Sequence, residues 1–444
     1  MDYIGKRSKK IKFLNIADSN FGMFKDDIAI AKIIENTFQN TKYPGYINVS
    51  TGKNNVNRVI EVAKILKGKL RVTGSVQSTN AKVLKNVRRD NISLGKIISF
   101  AHMAKEINAN SSSEIIIDLP GDTREAFMKS VKDVIEADFD HAVLYSLMLL
   151  PGSELASKRS IDKFGIVKKY RIQPLCFGKY KFGRKVISSV EIEEICVETN
   201  TLSFAEYLDC RSFSFIVSLF YNNRFFEVLL GLLKYFKISV FNWLFTIYLN
   251  RFSFKDPLKK LCNDFLKDTK NELWESLNDI YNIIASEHLN NNLKANKYGK
   301  NLIFYYRALA LNSGTAQINE VAFETAKQIY SDLGNSEYSK IVKLIDQLKQ
   351  FTLERKLDLL DLERKTIRSF NFSFERILSG KGGNDWRELI NDDGVYKYRF
   401  YHSESQKKFI ANITEIYGSD MDAFAKVIAR LPLANLYRVI ERVS

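Results

Sequence analysis

A parallel α/β sheet of the barrel-forming kind, followed by a mostly helical region, is the fold class this sequence predicts. Three observations predict it. Between residues 11 and 149, short runs rich in Ile, Val and Leu alternate with amphipathic helical patterns. Turn-forming polar residues follow each of these runs directly. From about residue 188 the alternation stops and long amphipathic segments take over.

In chain order, residues 11–17 (IKFLNIA) form a strand closed by the turn Asp18-Ser19-Asn20, and residues 27–37 form a helix. Strands follow at 46–49, 70–75, 114–119 and 142–149, with helices at 56–66, 80–87, 94–107 and 124–137. Near-continuous apolar strands separated by helices imply a parallel sheet buried on both faces. Gly52-Lys53-Asn54, Gln77-Ser78-Thr79 and Pro120-Gly121-Asp122-Thr123 then share one rim with Asp18-Ser19-Asn20. Asp122 and Thr123 also suit the cap of the helix that begins near Arg124. Residues 191–200 fit either a last strand or a helix. Beyond them, helical segments are expected at 213–249, 257–289, 320–359 and 406–443, with one strong break at 380–384 (GKGGN). The expected domains are a barrel region at 1–200, an aromatic-rich helical region at 201–290 and a helical region at 291–444. Trp274 and Trp386 are expected to anchor cores.

The chain of 444 residues carries a formal net charge of +16. Its first 200 residues hold 33 basic and 22 acidic side chains, and no acid falls between Asp162 and Glu191. That basic stretch is expected to be a solvated face, with an anionic substrate, membrane or nucleic acid as the alternatives. Cys176, Cys196, Cys210 and Cys262 are too far apart for a zinc ribbon, and so few cysteines point to a reducing cytoplasm. The basic N-terminus lacks the apolar run of a signal peptide. The greasy stretch 213–249 is broken by charges before reaching the ~18 residues of a spanning helix. Histidines 102, 141, 288 and 402 make no metal constellation.

Five segments in order, FLNIADSNFGMFKDD, KNNVNRVIEVAKIL, VTGSVQSTNAKVLKNVRRDN, EIIIDLPGDTREAFMKSV and VLYSLMLLPGSELA, resemble the barrel of radical S-adenosylmethionine (radical SAM) enzymes. The branch they are most similar to is the one associated with a cobalamin-binding domain, and the resemblance covers roughly residues 10–185. It implies a partial (β/α) barrel of the TIM type, holding strand units two to six without the first. It implies S-adenosylmethionine at the rim. Asp18, Ser19 and Asn20 would lie near the methionine amino group, Gln77 and Ser78 near the ribose, and Arg89 near a carboxylate. Gly121 would let a turn approach adenine, with Leu150 and Gly152 forming an apolar wall.

The family's CxxxCxxC loop follows its first strand, and that spacing occurs nowhere in this sequence. The 4Fe-4S cluster expected of the family therefore lacks its ligands here, and cobalamin would require a further domain. A separate N-terminal fragment is the expected partner, with an open edge on the first strand present. Two functions follow: a radical SAM enzyme or a C-terminal fragment of one, and a barrel-derived binding or scaffold protein without radical chemistry. RNA binding through Tyr170, Phe177, Tyr180 and Phe182 among the basic residues is a third. The substrate is not legible.

Overall fold

The structure, a computed structural model, describes residues 1–8, 13–52, 55–89, 94–107, 109–285, 298–334, 338–378, 385–392 and 394–443. Lys53 and Asn54 of the second expected turn, His288 and the expected break at 380–384 lie outside the described residues. The chain divides into two units. One comprises Met1–Leu147, Arg159–Ile166 and Glu198–Ser203; the other comprises Met148–Lys158, Val167–Val197 and Phe204–Ser444.

In the first unit, helix α1 (Asp2–Arg7) precedes β1 (Phe13–Asn15), α2 (Asp26–Thr41), β2 (Tyr46–Asn48) and α3 (Val56–Ile65). Then come β3 (Val72–Thr73), α4 (Ala81–Asn86), α5 (Leu94–Glu106), β4 (Ser111–Ile117), α6 (Arg124–Glu136), β5 (His141–Ser146) and the short α7 (Lys158–Phe164). β1 pairs parallel with β2, β3 with β4, and β4 with β5. A parallel bridge from Ile47 to Leu70 links the two sets, so the strands stand side by side in chain order. Helical crossovers are what parallel neighbours require. The helices begin where a side chain takes up an orphan N–H. Asn80 accepts from Lys82 and Val83 and Thr123 from Ala126, while the buried Asp27 carboxylate in the first turn of α2 accepts from Gly22 and Phe24 of the loop before it.

Ile47, Leu70, Val72, Ile115, Ile117, Ala142 and Leu144 are buried, and α3, α5 and α6 pack against these strands. Val59 and Val62 of α3, Phe100 and Ala104 of α5, and Phe127, Val131 and Val134 of α6 complete the core. Burying each larger side chain contributes about 1.5–3 kcal/mol. The expectation of a sheet buried on both faces is corrected. Burial along β3 and its continuation alternates strictly from Arg71 to Ser78, and β4 and β5 alternate over most of their length. One face is therefore buried and apolar, and the other is less buried and carries Arg71, Thr73, Ser75, Glu114 and Tyr145 beside Ile116 and Val143.

The second unit opens, after a turn at 148–157, with a two-stranded ribbon of β6 (Val167–Phe182) and β7 (Lys185–Glu198). Of the segment 191–200, residues 191–198 are thus strand, and Thr199 and Asn200 lie in the turn that follows. Helices α8 (Phe204–Phe220), α9 (Glu227–Tyr235), α10 (Val240–Leu249), α11 (Leu258–Asn271) and α12 (Leu277–Ala285) follow. Next are α13 (Leu302–Ser313), α14 (Thr315–Ser331) and α15 (Tyr338–Lys356). Phe213, Phe215, Phe220 and Trp243 are buried, and Trp243 Nε1 donates to the Ala322 carbonyl at 3.0 Å. Among the described residues no single helix is long and apolar enough to cross a membrane.

The last part departs from the expected run of helices. β8 (Thr366–Phe370), α16 (Glu375–Leu378), α17 (Asp385–Ile390), β9 (Tyr396–Tyr401), α18 (Glu404–Tyr417), α19 (Met421–Arg430) and β10 (Val439–Val443) include an antiparallel sheet of order β10-β9-β8. Its strands are only five or six residues long. In β9, Tyr398 and Phe400 are buried while Lys397 and Arg399 point outward, a period of two too brief to stand out beside the helices. Arg438, just before β10, donates to the carbonyls of Glu354, Leu357, Asp358 and Asp361 and so satisfies the C-terminal end of α15.

Ion pairs hold the base of the ribbon. Arg171 Nε donates to Glu193 at 2.7 Å and its Nη1 to Glu272 at 3.3 Å. Lys168 pairs with Glu194 at 2.7 Å, Lys169 pairs with Glu275, and Tyr170 and Trp274 exchange both backbone hydrogen bonds. Burial pushes the Glu272 carboxyl up, and Arg171 and Arg211 oppose the shift. Removing one partner from such a set strands the others without water. Arg171→Ala is expected to lower the stability of the second unit by about 3 kcal/mol, read as an earlier urea midpoint. An unchanged midpoint would show that the ribbon base is not held by this residue.

Candidate functional site: the polar face of the parallel sheet

Parallel strands bring their C-terminal ends to one edge, and residues in register share a face. Register pairs Asn15 with Asn48, Thr73 with Ser112, and Ile116 with Tyr145. Hydrogen bonds run across this face. Asn48 Nδ2 donates to Asn15 Oδ1 at 3.1 Å, Thr73 Oγ1 and Ser112 Oγ lie 3.1 Å apart, and the Ser75 hydroxyl donates to Glu114. Arg89 Nη2 donates to the Ser75 carbonyl at 3.4 Å. The Arg89 guanidinium is held below its usual range by loss of water, with the Glu114 carboxylate opposing. The Tyr145 phenol is held above its usual range by desolvation and by Glu114, with Arg71 opposing. Glu114 therefore acts electrostatically on both Arg89 and Tyr145, and Arg71 acts on Tyr145. Arg71 Nε is buried and has no hydrogen-bond partner among the described residues. One carboxylate, two guanidinium groups and a phenol suit a small molecule bearing both an ammonium and a carboxylate.

The rim is built from the turns after the strands. Asn20 N–H donates to Asp18 Oδ1 at 2.7 Å, and Asn20 Nδ2 donates to Ser19 Oγ at 3.1 Å. A Cβ on Gly52 would come within 2.7 Å of Met23 Cβ and 3.0 Å of the Asn20 carbonyl, so glycine there lets the first two turns touch. Gln77 has φ +60 and extends the ladder. Its N–H donates to the Glu114 carbonyl at 2.7 Å and its carbonyl accepts from Ile116 at 2.9 Å.

The structure divides the expected site residues. Asp18 and Ser19 are exposed at the rim, Asn20 and Gln77 are half-buried there, and Arg89 reaches the polar face beside Glu114. Ser78 is buried, its hydroxyl accepting from Asn80 N–H at 3.1 Å and lying 3.4 Å from Ser130 Oγ of α6. Gly121, at φ +80, packs against Asn86, whose Nδ2 donates to the Pro120 carbonyl at 2.9 Å. Leu150 and Gly152 lie in an exposed turn of the second unit. Asn15, Asn48, Arg71, Ser75, Glu114 and Tyr145 join the polar face without having been expected from the sequence. Their signal was present as polar residues two apart within apolar strands, as in Arg71-Val-Thr-Gly-Ser75.

Asp122 is a second buried polar group of the rim. Burial pushes its carboxyl from 3.8 up to about 7, with the Thr123 N–H opposing, and its Oδ2 has no hydrogen-bond partner among the described residues. Between those two values the folded chain holds a proton that the unfolded chain releases. Its contribution to stability is present below pH ~4 and is lost as pH rises through about 7. Asp122→Asn is expected to stabilise the chain above pH 7 by on the order of 2 kcal/mol and to flatten the slope of melting temperature between pH 4 and 7. Parallel melting curves for both chains across that range would refute the assignment.

No family model matches the chain. It is 26% identical over 219 residues (48% of this chain) to the 2-(S-pantetheinyl)-carbapenam-3-carboxylate methyltransferase of Streptantibioticus cattleyicolor. It is 27% identical over 213 residues (46% of this chain) to the cobalamin-dependent radical SAM methyltransferase TokK of Streptomyces tokunonensis. These matches span 31% and 30% of the two relatives' own lengths. Two solved structures of the radical SAM methyltransferase TsrM from Kitasatospora setae are also similar. The one with tryptophan substrate and a SAM analogue has a TM-score of 0.31 and 13% identity over 41% of this chain and 34% of that one. The one with cobalamin and a 4Fe-4S cluster bound has a TM-score of 0.30 and 14% identity over 36% of this chain and 30% of that one. Across nearly half its length, the chain is thus a sequence relative of methyltransferases of the cobalamin-associated radical SAM branch.

Proposed function

We propose that the parallel sheet is part of a (β/α) barrel whose polar face and rim bind S-adenosylmethionine, within a methyltransferase-like protein of the radical SAM lineage. The single observation that carries this is the convergence of Arg71, Arg89, Glu114 and Tyr145 on one face at the C-terminal ends of parallel strands. The likeness in sequence to two methyltransferases supports the choice of ligand. Glu114 suits the ammonium of the methionine moiety, and Arg71 or Arg89 suits its carboxylate. The Asn15–Asn48 pair offers donors and acceptors for ribose hydroxyls, and Asn20 and Gln77 extend them at the rim. When bound, S-adenosylmethionine supplies a sulfonium whose carbon substituents are activated for transfer.

A 4Fe-4S cluster does not fit the described residues. Cys196, Cys210 and Cys262 are buried and Cys176 is half-buried, none of them joined to another. No group of three or more His, Cys, Asp or Glu among the described residues is placed to hold a metal. No radical step is therefore assigned to this chain's own side chains. That observation favours a second function, a binding module of the same ancestry that works without radical chemistry.

Calorimetric titration of the chain with S-adenosylmethionine tests the proposal. Saturable binding is expected, weakened about tenfold or more by Glu114→Gln and by Arg71→Met, since each removes a charge-assisted contact. Absence of binding, or binding indifferent to both variants, would overturn it. Anaerobic incubation with iron and sulfide separates the two functions. Visible charge-transfer absorbance in the chain alone would exclude the binding-module function.

A further inference from the structure

The basic stretch between Asp162 and Glu191 is split by the structure into two parts with different fates. Its lower cations are spent internally. Lys168, Lys169 and Arg171 each face a carboxylate at the ribbon base. Its upper cations are not. Lys181, Arg184 and Lys185 are exposed, and no carboxylate lies within ion-pair distance of them among the described residues.

These three cations surround the two-residue turn Gly183-Arg184 that joins β6 to β7. Beside them stand four large apolar side chains open to solvent: Tyr180 at 61% exposure, Phe182 at 79%, Val186 at 62% and Ile187 at 51%. Every residue from Tyr180 to Ile187 is exposed, so neither face of the tip is covered among the described residues. Scattered exposed hydrophobes need no explanation, but four within eight residues around one turn do.

We propose that this tip docks on an anionic lipid surface. Phe182, Tyr180, Val186 and Ile187 would enter the headgroup–acyl boundary while Lys181, Arg184 and Lys185 meet lipid phosphates. Charge complementarity fixes an anionic partner. The apolar residues choose among anionic partners. A nucleic acid gains from stacking on Phe and Tyr but offers no apolar surface to β-branched Val and Ile. A bilayer takes both, with tyrosine placed at the interface by its polar end. The ribbon also suits this role mechanically. Its base is locked by Arg171 and by the Tyr170–Trp274 pair, so the tip is presented on a stiff arm.

Co-sedimentation of the full chain with vesicles of phosphatidylcholine alone, and of equal parts phosphatidylcholine and phosphatidylglycerol, tests the proposal. Binding is expected to the anionic vesicles and not to the neutral ones, falling about fivefold for each cation among Lys181, Arg184 and Lys185 replaced by glutamine. Phe182→Ser combined with Ile187→Ser is expected to abolish it while leaving the melting temperature unchanged. Phe182→Trp is expected to shift its fluorescence to the blue on anionic vesicles. The proposal is overturned if neither vesicle binds, if the serine variant binds as well as the parent, or if the tip prefers RNA oligonucleotides to vesicles. S-adenosylmethionine binding plays no part in this test, so the two proposals stand or fall separately.

Discussion

The parallel hydrogen-bond ladder from β1 to β5 is the constraint on which the first unit depends. Its first three strands are short, three residues in β1 and β2 and two in β3, and none of these could persist without its neighbours. What stabilises the ladder is its underside, where Ile47, Val72, Ile115 and Leu144 meet the helices. What the ladder fixes is direction. Because every strand points the same way, every following turn emerges at one edge, and that edge must serve two purposes. Helix starts need caps, and Asn80 and Thr123 are consumed by them, while Asp27 and Ser78 hold the backbone N–H groups of the loops leading into helices. The polar side chains left over on the strands and turns, Glu114 and Arg71 above all, are those free to meet a ligand.

That division explains how much of the site could be seen in the sequence. Strand and helix positions in the first unit were legible because apolar runs alternate with helical periodicity, and the strands lie where those runs placed them. Asn20 and Gln77 sit on the rim, as the turn signals required. Ser78 is buried behind the rim, where its hydroxyl accepts from the Asn80 N–H; residue type alone does not separate such a structural serine from a ligand contact. Glu114 and Tyr145 were hidden for the opposite reason. Each lies inside a segment dominated by Ile, Val or Leu, so the segment registers as apolar while its polar minority faces the other way. Only the period of two, Arg71 to Thr73 to Ser75, betrays it. The late sheet of β8, β9 and β10 escaped because strands of five or six residues between helices leave too few repeats to establish a period.

The second unit carries its charge differently. Arg438 gives its guanidinium to four backbone carbonyls at the end of α15, replacing the solvent those carbonyls would otherwise need. Arg171 is matched instead by carboxylates, one on the ribbon and one on α11. In both places a buried cation is kept by the groups it satisfies, and its removal would strand several partners together. A basic composition therefore says little about an exposed basic surface until such internal pairs are set aside.

The ribbon has a consequence for how copies of the chain behave toward one another. Near its turn, the outer edges of the two-stranded ribbon pair with no further strand among the described residues, and such edges are the feature by which sheets recruit strands. Clustered like charges beside that turn make two tips repel, and the repulsion weakens as counterions screen it. The cations that distinguish the tip thus act as a guard against edge-to-edge assembly in dilute salt, a guard that concentrated salt removes.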